Sequence, residues 1–179
     1  MKRKPPVLGF VAWSGTGKTT LIAQLLPIFR DHGIRVGVIK HTHHNVEFDT
    51  PGKDSHTLRL AGAKQMLVTS ASRWALFGDK DEFEDVRDID AEIGRLKTSE
   101  LDLIIVESFK RAAIPKIEIH RPSLSKPLLF PEDPNICAVA SDAPITDVNV
   151  EMPEVLDLNN ASQIVDFITA NVITAPTLE

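Results

Sequence analysis

The stretch Ala12-Trp13-Ser14-Gly15-Thr16-Gly17-Lys18-Thr19 constrains this chain more than any other. It follows a short apolar run, Val7-Leu8-Gly9-Phe10-Val11-Ala12, that begins after Pro5-Pro6 and reads as a strand buried on both faces. It precedes Thr19 to Asp31, where Leu21, Ile22, Leu25, Leu26 and Phe29 recur at helical spacing. A glycine-rich turn between a buried strand and a helix is the context of a Walker A loop, here with alanine in place of the usual first glycine. Glycines at 15 and 17 let successive backbone N–H groups point into one concavity, and the helix adds its positive end. Lys18 would reach the outer phosphates and the Thr19 hydroxyl would ligate Mg²⁺, with Ser14, Gly15, Thr16, Gly17 and Thr20 completing the nucleotide-binding stretch. A phosphate is therefore held locally. The whole chain offers no positive field, since 20 Lys+Arg against 25 Asp+Glu leave a net charge of −5.

That balance argues against nucleic acid and anionic membrane as partners. Lys2, Arg3 and Lys4 before the apolar run imitate a signal peptide, but the run is short, interrupted by Gly9, and leads straight into the loop. No later segment approaches the length of a transmembrane helix. With one cysteine, Cys137, an internal disulfide and a thiolate-rich metal site are both excluded within one chain, which suits a reducing cytoplasm.

The 179 residues fit one domain, 1–179. Pro27 should kink the first helix and Gly33 should cap it, before a second buried strand at Arg35 to Lys40. The chain thus opens strand, helix, strand, the start of a mostly parallel sheet with flanking helices. Further along, the spacing predicts a short helix over Ser55 to Gly62, strands at Gln65 to Thr69 and Trp74 to Phe77, and an amphipathic helix over Phe83 to Lys97. Leu101 to Val106 is the clearest buried strand. Pro115 to His120 alternates with period two, as a strand with one solvated face does. Arg121 to Asn135 is proline-punctuated and irregular, Ile136 to Ala140 and Val155 to Leu158 are strands, and Asn160-Ala161-Ser162-Gln163 opens a last helix with the form of a capping box. The tail after Ala175 is expected to fray.

Two further groups carry chemistry. Glu107 closes the clearest strand, where proteins with this loop place a Walker B carboxylate for the metal or its water shell. Lys40-His41-Thr42-His43-His44 closes the second strand, followed by Asp49, Lys53, Asp54 and His56. Strand C-terminal ends form the ligand edge of such sheets. The imidazoles there are open to three roles: a transition-metal site, contact with phosphates or a second ligand, or a solvated loop.

These residues resemble the molybdopterin-guanine dinucleotide biosynthesis protein B (MobB) family of small P-loop proteins. The resemblance spans most of the chain. It rests on the Walker A loop, on Val38-Ile39-Lys40-His41-Thr42-His43-His44, on Asp49-Thr50-Pro51-Gly52-Lys53-Asp54-Ser55 running into Leu58-Arg59-Leu60-Ala61-Gly62-Ala63, and on Leu103-Ile104-Ile105-Val106-Glu107-Ser108-Phe109-Lys110 with Pro115-Lys116-Ile117-Glu118. It implies a GTP-binding protein with weak Mg²⁺-dependent GTPase activity, acting in molybdenum cofactor maturation beside the guanylyltransferase that attaches GMP to molybdopterin. It also implies a homodimer, paired through a β-rich extension at about 110–135 in which Ile117, Ile119, Leu128, Leu129 and Phe130 supply the apolar groups.

This chain departs from the family pattern at Ser108, where glycine is common after the Walker B glutamate. It carries Trp13 where the dimeric P-loop relatives keep a signature lysine. No Asn-Lys-x-Asp guanine-reading motif is present, and Asp142 after the Ile136 to Ala140 strand is the one acceptor placed near a base. Two alternatives stand beside this reading. A small-molecule kinase would need an arginine-bearing lid, for which Arg111 and Arg121 are the only candidates after the Walker B strand. A nucleotide-gated metal chaperone would use His41, His43, His44 and His56.

Overall fold

The computed structural model describes residues 4–42, 47–79, 88–146 and 150–174. They fall into two compact units, Met1–His41 with Arg87–Glu179, and Thr42–Val86, where the sequence reads as one domain.

The larger unit is built on a six-stranded sheet in which every pairing is parallel. Its strands are β1 (Val7–Val11), β2 (Val36–Lys40), β5 (Leu103–Glu107), β6 (Lys116–His120), β7 (Ile136–Ser141) and β8 (Glu154–Asp157), in the order β2-β5-β1-β6-β7-β8. The runs with the least polar content, β1 and β5, take inner positions, where both faces are covered. Leu8, Phe10, Leu103, Ile105, Ile117, Ile119, Ala138, Ala140 and Leu156 face one side and pack against α1 (Lys18–Asp31) and α4 (Ala161–Ile168). On the other side, Ile104, Val106 and Phe109 pack with Ile89 and Ile93 of α3 (Ile89–Gly94), while Val11, Ile136 and Val139 pack with Leu128, Leu129 and Phe130.

The helix expected over Phe83 to Lys97 is described only as α3. Asp88 caps it by accepting from the Asp90 and Ala91 amides at 3.0 and 3.2 Å, and residues 80–87 lie outside the described residues. At α4, Asn160 accepts from the Gln163 amide at 3.1 Å, as a capping box requires. The Gln163 side chain instead accepts from the Asp157 amide at 2.9 Å, tying the helix to β8.

β6 corrects the expectation of a solvated face, because all five of its residues are buried. The Lys116 ammonium meets the Asp133 carboxylate at 2.7 Å, and Glu118 accepts from the amides of Leu129 and Phe130 at 2.8 and 2.9 Å. Gly9, paired with Lys116, leaves the room: a Cβ there would stand 3.0 Å from Lys116 Cγ. The stretch expected as a β-rich extension at about 110–135 thus contributes an interior strand. The rest of it carries two short 3-10 turns, Pro122–Leu124 and Phe130–Glu132, with no other strand. Of its apolar groups, Ile117, Ile119 and Phe130 are buried in the chain's own core, while Leu128 and Leu129 pack there only partly buried.

The smaller unit holds α2 (Asp54–Leu60) and an antiparallel pair, β3 (Gln65–Thr69) and β4 (Trp74–Gly78). The Arg59 guanidinium lies 5.4 Å from the centre of the Phe77 ring. Opposite Leu67 stands Leu76, and both are exposed.

Candidate functional site

Because all six strands of the large sheet run the same way, their C-terminal ends share one edge, and the residues that leave those ends meet there. The loop after β1 contains Gly15 at φ 80° and Gly17 at φ 98°, conformations that a side chain would strain. Between them Thr16 is buried, and its hydroxyl donates to the Trp13 carbonyl at 2.7 Å, so the loop is braced across its own width. Gly17 then stands at the N-cap of α1, whose first turn carries Lys18, Thr19 and Thr20 with no acidic residue to compete for the helix's positive end. Ser14 and Gly15 are exposed at the rim.

The Thr19 hydroxyl donates to Glu107 Oε1 at 2.9 Å, which joins the loop to the end of β5. From the end of β2, Lys40 Nζ comes within 3.6 Å of Glu107 Oε2 and 3.5 Å of Thr19 Oγ1. Lys18 Nζ turns back to the Ala12 carbonyl at 3.3 Å. Burial lowers the Lys18 ammonium below the ordinary lysine value; Glu107 opposes the shift, and Lys110 and Lys40 reinforce it. An arriving polyphosphate would reverse that balance by favouring the charged amine. Thr19 and Glu107 offer a hydroxyl and a carboxylate side by side, a hard-oxygen donor set that fits Mg²⁺.

The next two strand ends add groups that motif reading does not single out for the loop. Arg121 leaves β6, and its Nε donates to the Thr16 carbonyl at 2.9 Å. Its Nη1 donates to Asp142 Oδ2, just beyond β7. Asp142 therefore lies beside the loop with its carboxylate engaged by a guanidinium. Trp13 Nε1 donates to the Pro127 carbonyl at 2.8 Å, and Lys110 Nζ stands 4.8 Å from the Trp13 ring centre. Arg121 was legible in one respect: it is the first residue past a strand of a parallel sheet, as Glu107 and Lys40 are the last residues of theirs.

His41 continues β2 by donating its amide to the Glu107 carbonyl at 3.4 Å, and its ring meets Phe109 edge-on at 5.7 Å. His43 and His44 lie outside the described residues. Asp49, Lys53 and Asp54 belong to the smaller unit. There Asp49 Oδ1 accepts from the Thr50 amide at 2.8 Å and from Ser55 Oγ at 3.1 Å, Lys53 stands at the N-cap position of α2 without a side-chain capping bond, and Asp54 opens the helix. Among the described residues no group of three or more His, Cys, Asp or Glu side chains is arranged to hold a metal ion. No helix among them is long and apolar enough to cross a membrane.

A sequence model of the family described as "Molybdopterin guanine dinucleotide synthesis protein B" matches residues 7–142. The molybdopterin-guanine dinucleotide biosynthesis adapter protein of Escherichia coli (strain K12) is 45% identical over 164 residues, which cover 91% of each chain. The protein of the same name from Haemophilus influenzae is 39% identical over 169 residues, covering 94% of this chain and 90% of the relative. Among solved structures, one described as molybdopterin-guanine biosynthesis protein B superposes with a TM-score of 0.72 at 28% identity, over 92% of this chain and 97% of that one.

Proposed function

Since the chain belongs to the molybdopterin guanine dinucleotide synthesis protein B family, we propose that it is a GTP-binding adapter of molybdenum cofactor biosynthesis. It serves the step that makes molybdopterin guanine dinucleotide, with a slow Mg²⁺-dependent GTPase activity. The observation that carries this reading is the meeting of Thr19, Glu107 and Lys40 on one strand-end edge, with Lys18 close enough to feel the Glu107 charge. Backbone amides of residues 15–19 and the Lys18 ammonium hold the phosphates. Thr19 and Glu107 hold Mg²⁺, which supplies charge neutralisation at the phosphates when bound. Glu107 is the candidate catalytic group through its hold on the metal and its water, and Asp142 is the candidate acceptor near the base. The names carried by its relatives support an adapter role in molybdopterin-guanine dinucleotide biosynthesis; the guanylyltransferase that attaches GMP to molybdopterin as its partner, the cytoplasm as its place and a homodimer as its form are part of the same proposal.

The test is calorimetry of Mg²⁺·GTP and Mg²⁺·ATP against the parent and Lys18→Ala. Contacts between a charged amine and phosphate are worth about 1.5 to 3 kcal/mol each, so the variant should lose at least about tenfold in GTP affinity while melting like the parent. A folded Lys18→Ala with undiminished affinity would exclude the loop as the binding site, and a preference for ATP would exclude the guanine reading.

A further inference from the structure

The Thr16–Gly17 peptide lies in the glycine-rich turn between β1 and α1. Gly15 and Gly17 flank Thr16, both in the left-handed region, and glycine changes φ and ψ at little cost. The Thr16 side chain is pinned by its hydroxyl to Trp13, but that contact leaves the following peptide plane unspecified. What specifies it is Arg121, which donates to the Thr16 carbonyl at 2.9 Å from the end of β6, 105 residues away in the chain. In a trans peptide the N–H points opposite to the C=O, so a carbonyl turned to Arg121 turns the Gly17 N–H away from it.

We propose that Arg121 is a positioning residue of the phosphate grip: it locks the Thr16–Gly17 peptide so that the Gly17 N–H faces the phosphates, and Asp142 holds Arg121 in that pose. The inference rests on the reading of the Ser14 to Thr20 stretch as that grip. Arginine does what lysine cannot, because its planar fork keeps Thr16 and Asp142 at once. Its charge also polarises the amide it bonds, and an amide whose carbonyl accepts a charged donor gives a stronger hydrogen bond from its N–H. The guanidinium lies against Gly17, where a Cβ would be in ordinary contact with Arg121 Nη2 at 3.7 Å.

The experiment titrates Mg²⁺·GTP and inorganic tripolyphosphate into the parent, Arg121→Met, Arg121→Lys, Asp142→Asn and the Met/Asn double variant, with melting temperatures measured in parallel. Arg121→Met should weaken both probes by the same factor, about tenfold, because the loop and not the nucleoside is altered. Arg121→Lys should recover only part of that loss. Asp142→Asn should cost tripolyphosphate about threefold, and the double variant should be no weaker than Arg121→Met, since one pose is lost either way. Tripolyphosphate affinity within twofold of the parent in folded Arg121→Met overturns the proposal, and so does a loss confined to GTP. Should Arg121→Met not fold, Asp142→Asn decides alone, and unchanged tripolyphosphate affinity there is fatal. A parent that binds neither probe removes the phosphate-grip reading itself, whereas a parent that binds both with Arg121 indifferent removes only this inference.

Discussion

Ser108 holds a φ of 83° directly after Glu107, in the region that favours glycine and costs a residue with a Cβ about 1 to 2 kcal/mol. The family resemblance already marks the position as one where glycine is common, and the backbone supplies the reason: the residue after Glu107 takes a left-handed conformation. Ser108→Gly should therefore raise stability by about 0.5 to 1 kcal/mol, less than the strain because glycine also loosens the unfolded chain. Urea unfolding of the two proteins checks this, and equal or lower stability in the variant would show that the serine is unstrained. Legibility at this scale follows spacing. Lys18, Thr19 and Glu107 could be found because their chemistry repeats at fixed distances from glycines and strand ends. Arg121 stood out in sequence as a cation after a strand and a candidate for a kinase lid, not as a brace of the loop, since its partners Thr16 and Asp142 come from two other loops.

Among the elements, β6 shows where pattern reading reaches its limit. Alternation of Lys116, Glu118 and His120 with Ile117 and Ile119 signals a half-solvated strand, because period-two polarity reports side-chain chemistry and says nothing of what later folds over it. The covering groups arrive from Leu129, Phe130 and Asp133, in a proline-punctuated stretch with no periodicity to announce it. The inner strands β1 and β5 were legible because apolar residues on both faces leave burial as the only outcome. Asp133→Asn should cost about 3 to 5 kcal/mol, as it leaves the buried Lys116 ammonium without its counter-charge. Burial works to raise the Asp133 carboxyl, but hydrogen bonds from Lys116 and Asn135 outweigh it and hold the group below its ordinary value of 3.8. A depressed folded value means stability present above the unfolded value and lost as pH falls through the folded one. The gap between parent and variant in chemical denaturation should accordingly be full at neutral pH and close below about 3.8. Glu118 runs the other way. Burial raises its carboxyl despite the Leu129 and Phe130 amides, so its ionised form costs stability as pH climbs from the ordinary 4.5 through the folded value. A gap that persists undiminished in acid would remove the Lys116–Asp133 pair from the account.

For the whole molecule, the proposed homodimer needs a surface, and three of the five apolar groups expected to supply it lie inside the chain, Leu128 and Leu129 being only partly buried. Ile117, Ile119 and Phe130 are buried in the chain's own core. Exposed apolar area sits instead on the β3–β4 pair, where Leu67 is 58%, Leu76 51% and Trp74 64% exposed. Leu67 and Leu76 face each other across the ladder, and a bare two-stranded sheet of this kind seldom stands without a partner. Leu67→Ser with Leu76→Ser should convert a two-chain species to single chains by light scattering while leaving GTP affinity within about twofold; a two-chain mass that survives the pair of substitutions would place the interface elsewhere. The strand order carries a consequence for synthesis. β1 leaves the ribosome ahead of both its sheet neighbours, β5 and β6, so its backbone edges stay unpaired until residues 103–120 have followed. Arg121 and Asp142 emerge later still. Pairings so distant in sequence close slowly, and a nascent chain carries the apolar β1 unsheltered while the residues between it and β6 are made, a window in which chaperone capture competes with aggregation.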